Sequence, residues 1–68
     1  MITRAQAEAL LTLAESLEAC EQNEINLCPG NGVVELFYGQ RGVWTELRSL
    51  SAASLRLEIS RLYPKSET

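Results

Sequence analysis

The first third of the chain carries one uninterrupted helical pattern, which limits what the remaining residues can form. Apolar residues in "ITRAQAEALLTLAESLEACEQN" recur at spacings of three and four, with no Gly or Pro among them. They are Ala7, Leu10, Leu11, Leu13, Ala14, Leu17 and Cys20. Thr3 followed by Gln6 matches a capping box at the start. We therefore predict an amphipathic helix over residues 4–22.

The middle of the chain has the composition of strands and turns. The segments "VVELFY" and "VWTEL" are rich in β-branched and aromatic residues, and "GQRG" joins them. This pattern predicts a hairpin with its loop at residues 39–42. The preceding "EINLC" alternates weakly, and the Gly- and Pro-containing "CPGNG" is typical of a turn. Three strands, over residues 24–28, 33–38 and 43–48, are expected to form an antiparallel meander.

The last segment, "SLSAASLRLEISRLYPKSET", fits two patterns. Ser51 can cap a helix, with Leu50 packing on Leu55 as a hydrophobic staple. The apolar face of that helix would consist of Ala52, Leu55, Ile59 and Leu62. Alternation of Leu55, Leu57 and Ile59 with polar residues instead suggests a strand. The cap, the two alanines and the length favour a helix over residues 52–63, which Pro64 ends before a tail at residues 64–68.

Together these elements predict an α+β domain of two layers. Its order is an N-terminal helix, a three-stranded antiparallel meander and a C-terminal helix. A chain of 68 residues holds one domain at most. Domains of this size bury a small core and often need a second subunit, so we expect a homodimer.

Charge and hydropathy restrict the partners and the compartment. Nine acidic and six basic residues give a net charge of −3, which leaves few cations for phosphate contacts. We therefore expect no direct binding of nucleic acid. No apolar run approaches the roughly 20 residues of a membrane-spanning helix. The start, "MITRAQAEALL", lacks the basic region and cleavage site of a signal peptide. These features predict a cytoplasmic protein without a membrane segment.

The side chains needed for catalysis are scarce. Histidine is absent, and two cysteines cannot supply the four ligands of a structural zinc site. We expect no enzyme, no metal and no cofactor. Cys20 is expected to be a small buried residue on the helix and Cys28 a thiol at a strand end; a Cys20–Cys28 disulfide is the alternative. The "GNG" sequence precedes a strand, whereas a phosphate-binding loop precedes a helix.

The hairpin offers the best candidate for a binding surface. If Tyr38 pairs with Val43, then Phe37 lies opposite Trp44, and side chains alternate between two faces. The core face would carry Val34, Leu36, Tyr38, Val43, Thr45 and Leu47. With Arg41 at the loop tip, the predicted partner-binding surface comprises Val33, Glu35, Phe37, Arg41, Trp44, Glu46 and Arg48. Apolar centres with charged rims are typical of binding surfaces. A register shifted by one would instead place the aromatic pair in the core.

These observations favour a small non-enzymatic protein-protein interaction module that acts as an inhibitor or adaptor of another protein. In size and acidity the chain is similar to small phage and mobile-element proteins that bind and block a host protein, anti-CRISPR proteins included. The alternative is an acidic nucleic-acid mimic that blocks a basic groove through Glu8, Glu15 and Glu18. The same glutamates, with Glu21 and Glu24, also fit a solvated helix face.

Overall fold

The computed structural model describes residues 2–27, 32–38 and 42–64. Its elements are helix α1 (Arg4–Gln22), strand β1 (Val34–Tyr38), strand β2 (Gly42–Leu47) and helix α2 (Ala52–Leu62). The predicted α+β class is confirmed. Residues 28–31 of the predicted turn, 39–41 of the predicted loop and 65–68 of the predicted tail lie outside the described residues. Gly42, predicted as the last residue of the loop, is instead the first residue of β2.

Helix α1 begins at the predicted capping box. Thr3 Oγ1 accepts from the N–H of Gln6 at 3.1 Å, and Gln6 Oε1 accepts from the N–H of Thr3 at 2.9 Å. The face of α1 that reaches the core consists of Ala7, Leu10, Ala14 and Leu17. Leu11 and Leu13 are 40% and 41% exposed, so the buried stripe is narrower than the sequence pattern predicts.

Helix α1 ends in a Schellman-type turn in which Glu24 occupies the position that is usually glycine. The N–H of Ile25 donates to the carbonyl of Cys20 at 2.8 Å, and the N–H of Glu24 donates to that of Glu21 at 3.1 Å. Glu24 adopts a φ of 64°, in the left-handed region. Glycine is the common residue at this position, because a Cβ atom is strained there.

Helix α2 settles the ambiguity of the last segment in favour of a helix. Ser51 caps it by accepting from the N–H of Ser54 at 3.2 Å. The buried face is the predicted one, consisting of Ala52, Leu55, Ile59 and Leu62. Because its caps and its apolar spacing are local signals, they outweigh the short alternation that suggested a strand.

The two helices run antiparallel and are joined at both ends of the pair. At one end the N–H of Ile2 donates to the carbonyl of Leu62 at 3.3 Å. At the other end Glu21 Oε2 accepts from the N–H of Ala52 at 2.9 Å. A carboxylate at that position also interacts favourably with the positive end of the α2 dipole.

Strands β1 and β2 form an antiparallel hairpin whose register changes partway along. Val34 pairs with Leu47, Glu35 with Glu46 and Leu36 with Thr45, as predicted. Beyond a bulge, Phe37 pairs with Val43 and Tyr38 with Gly42. The predicted pairs Phe37–Trp44 and Tyr38–Val43 are therefore wrong. Trp44 is an extra residue of β2, and such a bulge breaks the simple alternation of faces.

The predicted three-stranded meander is not observed, since the described residues contain two strands. Of the strand expected over residues 24–28, one bridge remains, between Leu27 and Leu50. Leu27 therefore pairs beyond the end of β2 and not with β1. As a result, β1 is an edge strand in the sheet formed by the described residues, whereas the predicted meander placed it in the centre.

The core lies between the helix pair and the inner face of the hairpin. Ile2 and Leu47 of β2 join the buried helix residues. Partly buried side chains that complete it are Val34, Leu36, Trp44, Leu50 and Tyr63. In the described part of the chain, neither helix is long and apolar enough to cross a membrane.

Candidate protein-binding surface

The side of the hairpin that faces away from α2, here called the outer face, carries Glu35, Phe37, Val43 and Glu46. Phe37 and Val43 are directly paired and are 53% and 45% exposed. Glu35 and Glu46 form the adjacent cross-strand pair and are also exposed. The outer face thus combines an apolar pair with an acidic pair, which is the composition of many protein-binding surfaces.

The bulge moves Trp44 from this surface to the core side of the hairpin. Trp44 is half-buried and packs against the core. Its neighbour Thr45 also faces α2, because its hydroxyl donates to Glu58 Oε1 at 2.7 Å. Two consecutive residues of β2 therefore point inward, and Val43 takes the outer position that regular alternation assigns to Trp44. The predicted Phe37–Trp44 patch is corrected to a Phe37–Val43 patch.

The remaining predicted surface residues are spread around this patch. Val33 is half-buried just before β1, and Arg48 is exposed just after β2. Arg41 lies outside the described residues. Val43 was assigned to the core face from the sequence, and no local signal marks Trp44 as the residue that a bulge would insert.

The acidic pair on the outer face differs in its electrostatics from three glutamates on the helices. Those three pair with arginines: Glu8 with Arg4 at 3.1 Å, Glu18 with Arg56 at 2.6 Å and Glu58 with Arg61 at 2.7 Å. Within the described ranges, Glu35 and Glu46 make no ion pair. Like charges directly opposite each other in a sheet are destabilising. A partner that brings a cation to this pair would relieve the repulsion.

The inner face of β2 is fixed to α2 by a polar network. Thr45 Oγ1 donates to Glu58 Oε1 and accepts from Arg61 at 3.0 Å, and Arg61 also binds Glu58. The Thr45 hydrogen bond, followed by that of Arg61, holds the pKa of Glu58 below its ordinary value of 4.5. These contacts serve the attachment of β2 to the helix, so Thr45 and Glu58 are structural residues of the hairpin.

The predicted row of glutamates on α1 is only partly available to a partner. Glu8 and Glu18 are ion-paired, and Glu21 accepts from the first N–H of α2. Glu15 and Glu24 are exposed. The carboxylates are therefore not equivalent along the helix, which weakens the resemblance to a regular row of phosphates.

The chemical groups that could support catalysis or metal binding are few in the described residues. Cys20 is half-buried and forms no disulfide with another described residue. Cys28, and with it the possible Cys20–Cys28 pairing, falls outside the described ranges. Among the described side chains, no three metal-ligating residues come together.

A shallow cavity of about 400 Å³ lies where α1 ends and α2 begins. Glu21, Leu27, Arg48 and Leu50 contribute to its lining. Its acidic group, Glu21, is already hydrogen-bonded to Ala52, and Leu50 packs against the core. Because Glu21 is engaged in joining α1 to α2, the outer face is the stronger candidate for binding.

Searches against protein-family models, curated proteins and solved structures find no match to this chain.

Proposed function

We propose that the protein is a small non-enzymatic protein-binding module, an inhibitor or adaptor, that contacts its partner through the outer face of the hairpin. The observation that supports this most directly is the exposed Phe37–Val43 pair beside the Glu35–Glu46 pair. Large apolar side chains at the centre of a polar rim commonly supply most of the binding energy in protein interfaces. The acidic pair would favour a partner that presents Lys or Arg beside an apolar group.

Single exposed apolar residues are normal on protein surfaces and do not identify a site. Leu57 on α2 is an example, since it is 73% exposed and belongs to no comparable pair. The Phe37–Val43 pair differs because its two side chains are adjacent and share a face with Glu35 and Glu46, neither of which forms an ion pair with another described residue. Leu57 therefore provides a matched control for every experiment on the outer face.

Site-specific photo-crosslinking in the native host tests the proposal. A photoreactive residue at position 43 should capture one partner, whereas the same residue at position 57 should not. With that partner purified, Phe37→Ala should weaken binding by about tenfold or more, the loss typical of a central interface residue. Leu57→Ala should change the affinity less than about twofold. Equal capture at both positions, or a loss of affinity confined to Leu57→Ala, would contradict the proposal.

The alternative function, an acidic mimic of nucleic acid, has weaker support because Glu8 and Glu18 already pair with arginines. It makes a distinct prediction for the same purified complex. Binding through a row of carboxylates should weaken steeply as salt increases, and charge reversal at Glu15 should weaken it further. Binding through the Phe37–Val43 patch should survive both changes.

A further inference from the structure

Strand β1 has the composition of a central strand and yet lies at an edge. Its five residues, "VELFY", include one charge, no Pro and no Lys. Natural edge strands are usually protected by such residues, by bulges or by a covering element. In the part of the chain that the structure describes, β1 pairs with β2 on one side, and no helix or other strand lies along it.

The opposite edge of the hairpin is protected. Strand β2 contains the bulge at Trp44, which distorts the ladder and increases its twist. The unprotected edge of this sheet is therefore that of β1. A sheet of two strands is only marginally stable by itself, so a further strand on this side would add to its stability.

We propose that β1 pairs antiparallel with β1 of a second copy of the chain, which forms a continuous four-stranded sheet across a two-fold axis. The register is centred on Leu36, which faces its own counterpart. Glu35 then lies opposite Phe37 of the second copy, and Val34 lies opposite Tyr38 of the second copy. Symmetric dimers of this kind use one self-complementary surface on both subunits.

Charge and strand length select this register. A two-fold axis perpendicular to the sheet places the outer faces of both copies on the same side of the four-stranded sheet. A residue on the outer face of β1 can therefore pair only with an outer-face residue of the second β1, and an inner-face residue only with an inner-face residue. Centring on Glu35 would set two carboxylates opposite each other between chains that each carry a net charge of −3. Centring on Glu35 or on Phe37 would also pair fewer of the five strand residues. The Leu36 register pairs them all and places the charge beside an aromatic ring.

This contact uses the edge of β1 and leaves the outer face available. It is therefore independent of the partner proposed above. In the dimer, the outer faces of both copies would form one surface, in which the row Val43, Phe37, Glu35 and Glu46 crosses from one subunit to the other. A dimer would still form if the proposed partner did not exist.

Sedimentation equilibrium of the full chain tests the dimer at concentrations up to about 1 mM, where even weak association is measurable. Phe37→Glu and Phe37→Lys then test the register. In the dimer, Phe37→Glu creates two like-charge pairs with Glu35 and Phe37→Lys creates two opposite-charge pairs. From the usual strength of cross-strand pairs, the dissociation constant of Phe37→Glu should exceed that of Phe37→Lys by roughly 2- to 30-fold.

The same charge changes at Leu57 provide the control, because they alter the net charge equally on the exposed side of α2. Leu57→Glu and Leu57→Lys should have similar dissociation constants. Amide hydrogen exchange supplies an independent readout, since the N–H groups of residues 34–38 that point away from β2 should gain protection as concentration rises, while those of the bulged β2 should not.

A wild-type chain that stays monomeric at about 1 mM would overturn the proposal and leave the edge to a strand of another protein. A dimer with the same affinity for both charges at position 37, or with no added protection in β1, would also overturn it. Far-ultraviolet circular dichroism of each variant ensures that the comparison is made between folded chains.

Discussion

Replacement of Glu24 by glycine should stabilise the protein. Glu24 follows the end of α1 with a φ of 64°, where a Cβ atom costs roughly 1–2 kcal/mol. Glycine removes this strain, but its flexible unfolded state offsets about 0.4–1 kcal/mol of the gain. The net effect of the backbone change is therefore about 1 kcal/mol in the free energy of unfolding. For a domain of this size, that corresponds to a rise of roughly 4–8 °C in Tm.

A second effect must be separated from the first. The Glu24 carboxylate lies near the negative end of the α1 dipole, so its removal should itself add about 0.3–1 kcal/mol. Glu24→Ala removes the charge and keeps the Cβ atom, and it is therefore the matched control. Glu24→Asn is also neutral and should fall between the two, since asparagine tolerates the left-handed region better than alanine.

The measurement is urea and thermal unfolding followed by far-ultraviolet circular dichroism at constant pH. The difference between Glu24→Gly and Glu24→Ala isolates the backbone strain, with an expected value of about 1 kcal/mol. Hydrogen bonds of the turn involve only the backbone of Glu24, and both variants retain them. If the two variants have the same stability, the strain argument is wrong and only the charge matters.

The remaining predictions concern the two faces of the hairpin and its attachment to α2. Trp44→Ala should lower the free energy of unfolding by about 2–3 kcal/mol, below the usual cost for a fully buried Trp because the side chain is half-buried. Phe37→Ala should cost less than about 1 kcal/mol, and similar losses in urea unfolding would refute the assignment of faces. The pKa of Glu58 is lowered in the folded state, so Glu58 stabilises the protein at pH values above its ordinary pKa of 4.5. This stabilisation is lost as the pH falls below that pKa and the carboxylate becomes protonated. Glu58→Gln should therefore flatten the decline of Tm between pH 5 and pH 3, and an unchanged decline would show that Glu58 does not carry it.

The helices could be predicted because their determinants are local. Thr3, Gln6 and Ser51 form their caps with residues three positions away, and the buried positions of α2 follow one helical face. Leu11 and Leu13 were less predictable. Their exposure depends on the width of the face that α2 covers, which is a tertiary property absent from the period of α1 itself.

The sheet was harder to predict because its pairing is not local. Ile25 and Leu27 alternate as a strand would, but Leu27 finds its partner at Leu50, far along the chain. The position of the bulge at Trp44 is likewise not marked by the residues next to it in the sequence. Any residue of β2 could have been the inserted one. The structure places the insertion at Trp44, beside Thr45, which is hydrogen-bonded to Glu58 of α2.

Three of the four residues of the outer face could be predicted from the sequence, and the bulge explains why the fourth could not. The exposed positions of Glu35, Phe37 and Glu46 agree with simple alternation from the start of β1 and the end of β2. One inserted residue was enough to exchange Val43 and Trp44 between faces, because the side-chain period of a strand is two.

The antiparallel contact between the first helix and the last has a consequence for how the chain folds. Helix α1 is synthesised first, but the residues that cover its apolar face belong to α2, after the hairpin. The hydrogen bond from Ile2 to Leu62 joins the two ends of the described chain, and the bond from Ala52 to Glu21 joins residues 31 positions apart. Closing such a loop costs entropy before any contact rewards it. On the ribosome, the apolar face of α1 therefore stays uncovered by α2 until residues 52–62 have emerged.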